Sequence, residues 1–286
     1  MAVPLSYSLP VFRPDGWDAA AEWLAVVRDL GFPWVTLHPT YAVADTDPPT
    51  IGTSNVPSVA PVVAEARRLG LRVRMEPHLD FESTLQGAYE WRRRMLVDPS
   101  ADYFDRVLRP LSDLLPDELT LGSELDVSAV RYTREWRYVA AALRPLGIAL
   151  GHKLNHDWRD AAGLVARWQM RQYLRDLDYK AVSFYTAEPW SLKAGWTIGE
   201  FGLGSTDIHR PWYFGEDRRF VTEHDFNVRR DWYFRFLQWL TSREGRAASF
   251  WTVGRFDVLG VMDTRWRDDA VVDAVRAYNA SVQASP

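Results

Sequence analysis

The chain has 286 residues, a formal net charge of −4 and 47% hydrophobic content, which suits one compact domain (1–286) with a full-sized core. The mildly acidic balance, with no basic stripe interleaved by aromatics, argues against a nucleic-acid partner. No apolar run reaches the roughly 18 residues of a membrane span. With no cysteine the chain can form neither disulfides nor thiolate metal sites. The opening MAVPLSYSLPVFRPDGW has no basic stretch and no uninterrupted apolar core, so it does not read as a signal peptide. A cytoplasmic location is expected from that, with secretion open if a leader once preceded this start.

Short β-branched or apolar runs alternate with longer amphipathic stretches, the pattern of repeated βα units and a parallel sheet. Strand one is expected over 3–9, and a helix over 17–30 follows with apolar residues at helical spacing. Strand two is expected over 33–40, then a Pro/Thr/Asp-rich loop and a helix running to Leu69 that stops at Gly70. Strand three covers 71–80, followed by helical material over 85–115. Strand four covers 118–125 and its helix 133–146; strand five covers 147–155 and its helix 160–177. Strand six covers 180–186 and strand seven 196–203. A long loop follows, then a helix over 226–241, strand eight over 247–253 and a last helix over 268–282. Eight such units close into a (β/α)8 TIM barrel of the α/β class. Only about ten residues separate strands six and seven, at the lower limit for a parallel crossover, so the sixth helix is expected to be truncated or vestigial.

In a barrel enzyme the site lies at the C-terminal ends of the strands. Those ends carry His38 and Tyr41, then Glu76, His78 and Asp80, then Glu124 and Asp126, then Asn155, His156 and Asp157, and finally Tyr185, Glu200 and Trp251. Glu124 and Glu200, ending strands four and seven, stand across the mouth from each other. Breaking a glycosidic bond needs such a pair, because the leaving oxygen takes a proton while the anomeric carbon is attacked. The fourteen tryptophans fit a sugar-binding cleft, since flat aromatic faces pack on the C–H faces of pyranose rings. The aromatic-rich stretch 205–225 is expected to fold over the mouth, with Trp212 and Tyr213 on one side of the cleft.

LGSELD with Glu124, IGEFG with Glu200 and MEPHLD with His78 and Asp80 resemble clan A glycoside hydrolases. The resemblance is nearest to family 113, whose members are endo-β-1,4-mannanases. It implies Glu124 as general acid/base and Glu200 as nucleophile, with Tyr185 bonded to Glu200 and Trp251 as the floor beneath the sugar. Where most of the clan has Asn before the acid/base, this chain has Ser123, and His78 or Asn155 is the candidate replacement for that contact. His38, His78, Asp80, Asn155 and Trp212 complete the expected substrate-binding set.

Three other readings stand beside this one. The two glutamates could cap helices at the surface, the barrel could bind carbohydrate without cleaving it, or the substrate could be a β-glucan or another β-glycoside. His38, His78, Asp80, His152 and His156 could be imagined as a metal cluster, but neither H-x-H at strand one nor H-E-x-x-H is present, so no metal and no cofactor is expected. The alternation in strand three turns Arg72, Arg74, Glu76 and His78 inward, so Arg74 and Glu76 are expected to form an ion-pair layer, with Lys153 as a candidate third member. The expected partner is an oligosaccharide or polysaccharide, acted on by a monomer or weak oligomer.

Overall fold

A computed structural model describes residues 2–10, 19–44, 49–54, 59–81, 92–155, 164–184, 196–202, 223–252 and 256–284. Its strands are β1 (Leu5–Pro10), β2 (Trp34–His38), β3 (Thr40–Val43), β4 (Ile51–Ser54), β5 (Arg72–Met75), β6 (His78–Phe81), β7 (Glu118–Ser123), β8 (Ala149–Asn155), β9 (Tyr179–Phe184), β10 (Thr197–Phe201) and β11 (Ala248–Phe250). Eight of them, all parallel, close a barrel in the order β1-β11-β10-β9-β8-β7-β5-β2. Helices lie between the strands, so the chain is a (β/α)8 barrel.

The period-2 alternation decides what faces where. Leu5, Tyr7 and Leu9 of β1, Val35 and Leu37 of β2, and Val73 and Met75 of β5 point outward and join one apolar core with the helices. The residues between them point inward and are polar. Ser6, Thr36 and Ser249 form a hydroxyl chain (2.8 and 2.7 Å), and Arg74 reaches Ser249 (3.2 Å) and the Ala247 carbonyl (3.0 Å). Every member of this layer is fully buried, so each must be hydrogen-bonded to be tolerated.

The expected ion-pair layer is present with a different partner. Arg74 pairs with Glu118 (2.7 Å), which stands opposite it in the β5–β7 register; Glu118 also takes Arg246 (2.5 Å). Glu76 lies one pleat higher and meets Lys153 instead. Arg72, at the solvent end of β5, lies over the Trp34 ring and beside Asp117 (3.1 Å).

Two expectations about the mouth are corrected. The segment after strand two contributes strands rather than loop alone, and the third strand is not continuous. Pro77, which has no N–H to donate, separates β5 from β6, and β6 joins β3 and β4 in a small sheet of order β4-β3-β6 above the barrel. The path stays parallel across the break, with the Glu76 amide bonded to the Leu37 carbonyl and the His78 amide to the Pro39 carbonyl (2.9 Å each). This carries His78 and Asp80 upward over the barrel axis.

The helices agree with their sequence signals. Val59–Arg68 stops before Gly70, whose φ of +76° is the left-handed conformation that ends helices. Asp268 caps Asp269–Gln283 by accepting from the Ala270 and Val271 amides. Thr133–Leu143 is preceded by a further short helix, Asp126–Arg131, that begins two residues after Glu124 with Leu125 as its N-cap. The crossover after strand six, where a truncated helix is expected, lies outside the described residues. Among the described residues no helix is long and apolar enough to cross a membrane.

Candidate active site

Glu200 is delivered by a bulge. Along β10 and β9 the register runs Ile198 to Val182 and then Glu200 to Ser183, so β10 has one residue more than its neighbour at Gly199. A one-residue slip reverses the alternation and re-aims the side chains that follow. Glu200 therefore turns into the barrel, where it is 2% exposed. A similar slip lies just before Glu124, since Thr120 opposes Gly151 while Ser123 opposes Lys153. Both glutamate-bearing strands are shifted by one residue immediately before the glutamate.

Glu124 itself has φ +59°, in the left-handed region that a non-glycine residue occupies only at a cost of about 1–2 kcal/mol. Such strain persists where surrounding contacts overdetermine it, and it gathers at functional sites. The contacts are visible here. The Glu124 amide bonds the Lys153 carbonyl (2.9 Å), Ser183 Oγ donates to Oε1 (2.6 Å), and Arg92 Nη1 lies 3.1 Å from Oε2. Ser183 is also the register partner of Glu200, so β9 links the two carboxyl groups.

The surroundings of Glu200 are different. Lys153 Nζ, His78 Nε2 (3.4 Å) and His38 Nδ1 (3.8 Å) all approach Oε1. Burial opposes ionisation of this carboxyl, but the Lys153 ammonium and then His78 outweigh it and hold Glu200 well below the ordinary carboxylate range. Lys153 also donates to Glu76 Oε1, and the two carboxylates raise its pKa against the effect of burial. His38 is kept neutral, chiefly by burial and then by His78, which stands 3.1 Å away.

Four ligand atoms here, from His38, Glu76, His78 and Glu200, lie within 4.8 Å of one another, a spacing that a divalent cation accepts. The two carboxylate oxygens facing that centre are also the two that accept from Lys153. The lysine is the cation of this cluster.

The remaining expected residues fall as follows. Trp251, half-buried and the next residue after β11, sets its ring beside His38 (5.4 Å between centroids) and His78 (5.9 Å). Asp80 is buried, with Arg92 Nε 3.5 Å from it. Asn155 is at the end of β8, but its amide donates to Asp126 Oδ2 (3.0 Å) and its backbone N–H to Oδ1 (3.1 Å). Burial raises Asp126 to about 7 despite those two bonds. Ser123 lies 3.4 Å from Glu76. Tyr185, Trp212, Tyr213, His156 and Asp157 lie outside the described residues. His152 is not part of the site: it points out from β8 between Trp136 (4.9 Å) and the Tyr173 hydroxyl (3.0 Å), and burial lowers its pKa to about 3.

Sequence reasoning missed Arg92 and Ser183. Arg92 sits in the run Arg92-Arg93-Arg94, which reads as a solvated face, yet its side chain is buried between Asp80 and Glu124. Ser183 lies two residues before Tyr185, in the same strand end that drew attention to the tyrosine.

Among solved structures, the chain is similar to a glycoside hydrolase family 113 β-1,4-mannanase, at 14% identity and a TM-score of 0.65 over 98% of this chain and 99% of that one. The chain has the fold of the family 113 β-mannanases. The family 113 β-mannanase of Alicyclobacillus acidocaldarius matches at 15% identity and a TM-score of 0.63, over 98% and 97% of the two chains. An exo-β-1,4-mannosidase from Opitutaceae bacterium strain TAV5 matches at 13% and 0.61, over 98% of this chain and 59% of that one. No sequence-family model matches the chain, and no curated relative is similar to it in sequence.

Proposed function

We propose that the protein is a retaining β-glycoside hydrolase acting on β-1,4-mannan or manno-oligosaccharides, with Glu200 as nucleophile and Glu124 as acid/base. One observation carries this reading: two buried glutamates each follow a one-residue bulge at the end of a barrel strand, and each has its own set of partners. Lys153 and His78 hold one carboxyl ionised; a serine hydroxyl and Arg92 hold the other at the edge of the same cleft.

In the first step Glu200 attacks the anomeric carbon as the glycosidic C–O bond breaks, and the departing oxygen takes the proton of Glu124. In the second, Glu124 removes a proton from a water that attacks the anomeric carbon, and Glu200 leaves as a carboxylate. Retention follows from two displacements at one carbon. Trp251, beside His38 and His78, offers a flat face for the sugar at the cleavage point. The choice of mannan rests on the company this fold keeps among mannanases and a mannosidase, together with the strand-end motifs around His78, Glu124 and Glu200.

The test is a panel of aryl β-glycosides and manno-oligosaccharides, with the anomer first released read by NMR. The expected result is hydrolysis of β-mannosides with retention, abolished in Glu200→Ala. Inversion, or activity that survives in Glu200→Ala, would contradict the assignment.

A further inference from the structure

Lys153 is fully buried at the centre of the barrel and touches both Glu76 and Glu200. Its position depends on a glycine. A Cβ placed on Gly199 would come within 2.5 Å of Lys153 Cδ and 2.9 Å of Cγ, so the absence of a side chain at the bulge makes the channel through which the lysine stem passes. The barrel thus provides a fixed cation beside Glu200 from β8, two strands away around the barrel. The arrangement is charge-balanced in a way that restricts movement. Glu76 accepts from the ammonium on one side and Glu200 on the other, and Thr120 and Ser123 lie 3.5 and 3.4 Å from Glu76.

We infer that Lys153 is the positioning residue for the nucleophile, its ammonium clamping Oε1 of Glu200 against Glu76 so that attack on the anomeric carbon falls to Oε2. This rests on the hydrolase reading above, but the clamp itself does not. Three of the Glu200 contacts (from Lys153, His78 and His38) converge on Oε1, which gives the carboxylate one orientation. A carboxylate fixed in one orientation keeps its charge and its aim together; a freely rotating one must be ordered again in every turnover. Glu76 has a distinct part. It takes up a share of the lysine's charge, so that Glu200 is ionised without being fully neutralised by its partner.

The groups that act on this pair come from several elements. His38 faces it from β2, Glu76 from the end of β5, His78 from β6 and Glu124 from the end of β7, and Arg92 acts on His38 from beside Glu124. Among them Lys153 contributes the largest charge effect on Glu200, so its removal must be visible above the others.

The experiment compares wild type, Lys153→Met and Lys153→Arg. Two quantities are read: the pH profile of kcat/KM on an aryl β-mannoside, and the titration of Glu200 by 13C-carboxyl NMR, assigned with Glu200→Gln. In Lys153→Met the acidic limb and the Glu200 titration should both move up by about one pH unit or more, a tenfold change in proton affinity. Meanwhile kcat falls and KM changes little, because a misaimed nucleophile weakens the transition state and not substrate binding. Lys153→Arg should restore the limb, since the charge returns, but not kcat, since a planar fork cannot reproduce the aim of an ammonium. If Lys153→Met fails to fold, Lys153→Met with Glu76→Gln removes one charge of each sign and serves in its place. A Glu200 signal that titrates at the same pH in wild type and variant overturns the clamp, whatever the activity. A wild type that hydrolyses no β-glycoside offered overturns the enzymatic reading, and the positioning role with it. Stoichiometric zinc binding by the wild type, lost in His38→Ala, would show that the four ligand atoms take a metal ahead of the lysine and would overturn the clamp as well.

Discussion

Gly199→Ala is a one-methyl perturbation at the point where fold and site meet. Gly199 has no left-handed φ, so its backbone accepts alanine without strain. Removing a glycine from the unfolded chain would by itself stabilise by about 0.4–1 kcal/mol. Space decides the sign. The new Cβ would sit 2.5 Å from Lys153 Cδ, 2.9 Å from Cγ and 3.2 Å from Ala181 Cβ, while carbon atoms rest at about 3.5–4.0 Å. Lys153 must give by roughly 1 Å, and it cannot swing away, because its ammonium is held by Glu76 and Glu200. Overpacking of this kind costs about 1–3 kcal/mol, so the net effect is a loss of about 1–2 kcal/mol. At about 2–4 °C per kcal/mol, Tm should fall by roughly 2–8 °C. Urea unfolding of Gly199→Ala, Lys153→Ala and the double variant gives the coupling. In the Lys153→Ala background the alanine at 199 has room, so the cycle should show a coupling of about 1 kcal/mol or more. Equal effects of Gly199→Ala in both backgrounds would refute the steric argument.

Other predictions rest on single contacts. Glu124→Gln should slow hydrolysis of manno-oligosaccharides by about 10²–10⁴-fold. It should affect an aryl mannoside with a good leaving group far less in the first step, as burst kinetics would reveal. Arg74→Met should destabilise by about 3 kcal/mol in urea, the low end for breaking a buried pair, because Arg246 still reaches Glu118 (2.5 Å); adding Glu118→Gln should recover part of the loss. For Asp126 the sign follows from a folded-state pKa raised to about 7. Between the unfolded value near 4 and about 7 the native state binds more protons, so stability rises as pH falls through that window. Thermal unfolding at pH 5 and pH 8 should show the difference, and Asp126→Asn should reduce it.

The barrel was legible because its strands are short, separated and ended by polar residues, and because the inward positions of strand three are charged in a strict alternation. That alternation predicts that Arg74 and Glu76 are buried and paired, but their partners depend on register between strands, which no single strand records. Arg74 therefore meets Glu118, and Glu76 meets Lys153. The bulges before Glu124 and Glu200 were invisible for a similar reason: an extra residue in one strand has meaning only against its neighbour. Gly122 and Gly199 stand close before the two glutamates in LGSELD and IGEFG. In the structure they clear space for His152 and for the Lys153 stem. Arg92 could not be found from sequence, because burial of one arginine in a run of three is decided by where Asp80 is carried, and Asp80 is lifted over the mouth by the break at Pro77.

The central claim is that Glu200 forms a covalent bond to the sugar. The direct measurement is mass spectrometry of the protein after exposure to an activated 2-deoxy-2-fluoro-β-mannoside, which slows release of the glycosyl group more than its transfer. The account predicts one added glycosyl mass, located by peptide mapping on Glu200 and absent in Glu200→Gln. Turnover of β-mannosides with no adduct, or an adduct on any other carboxylate, would contradict it.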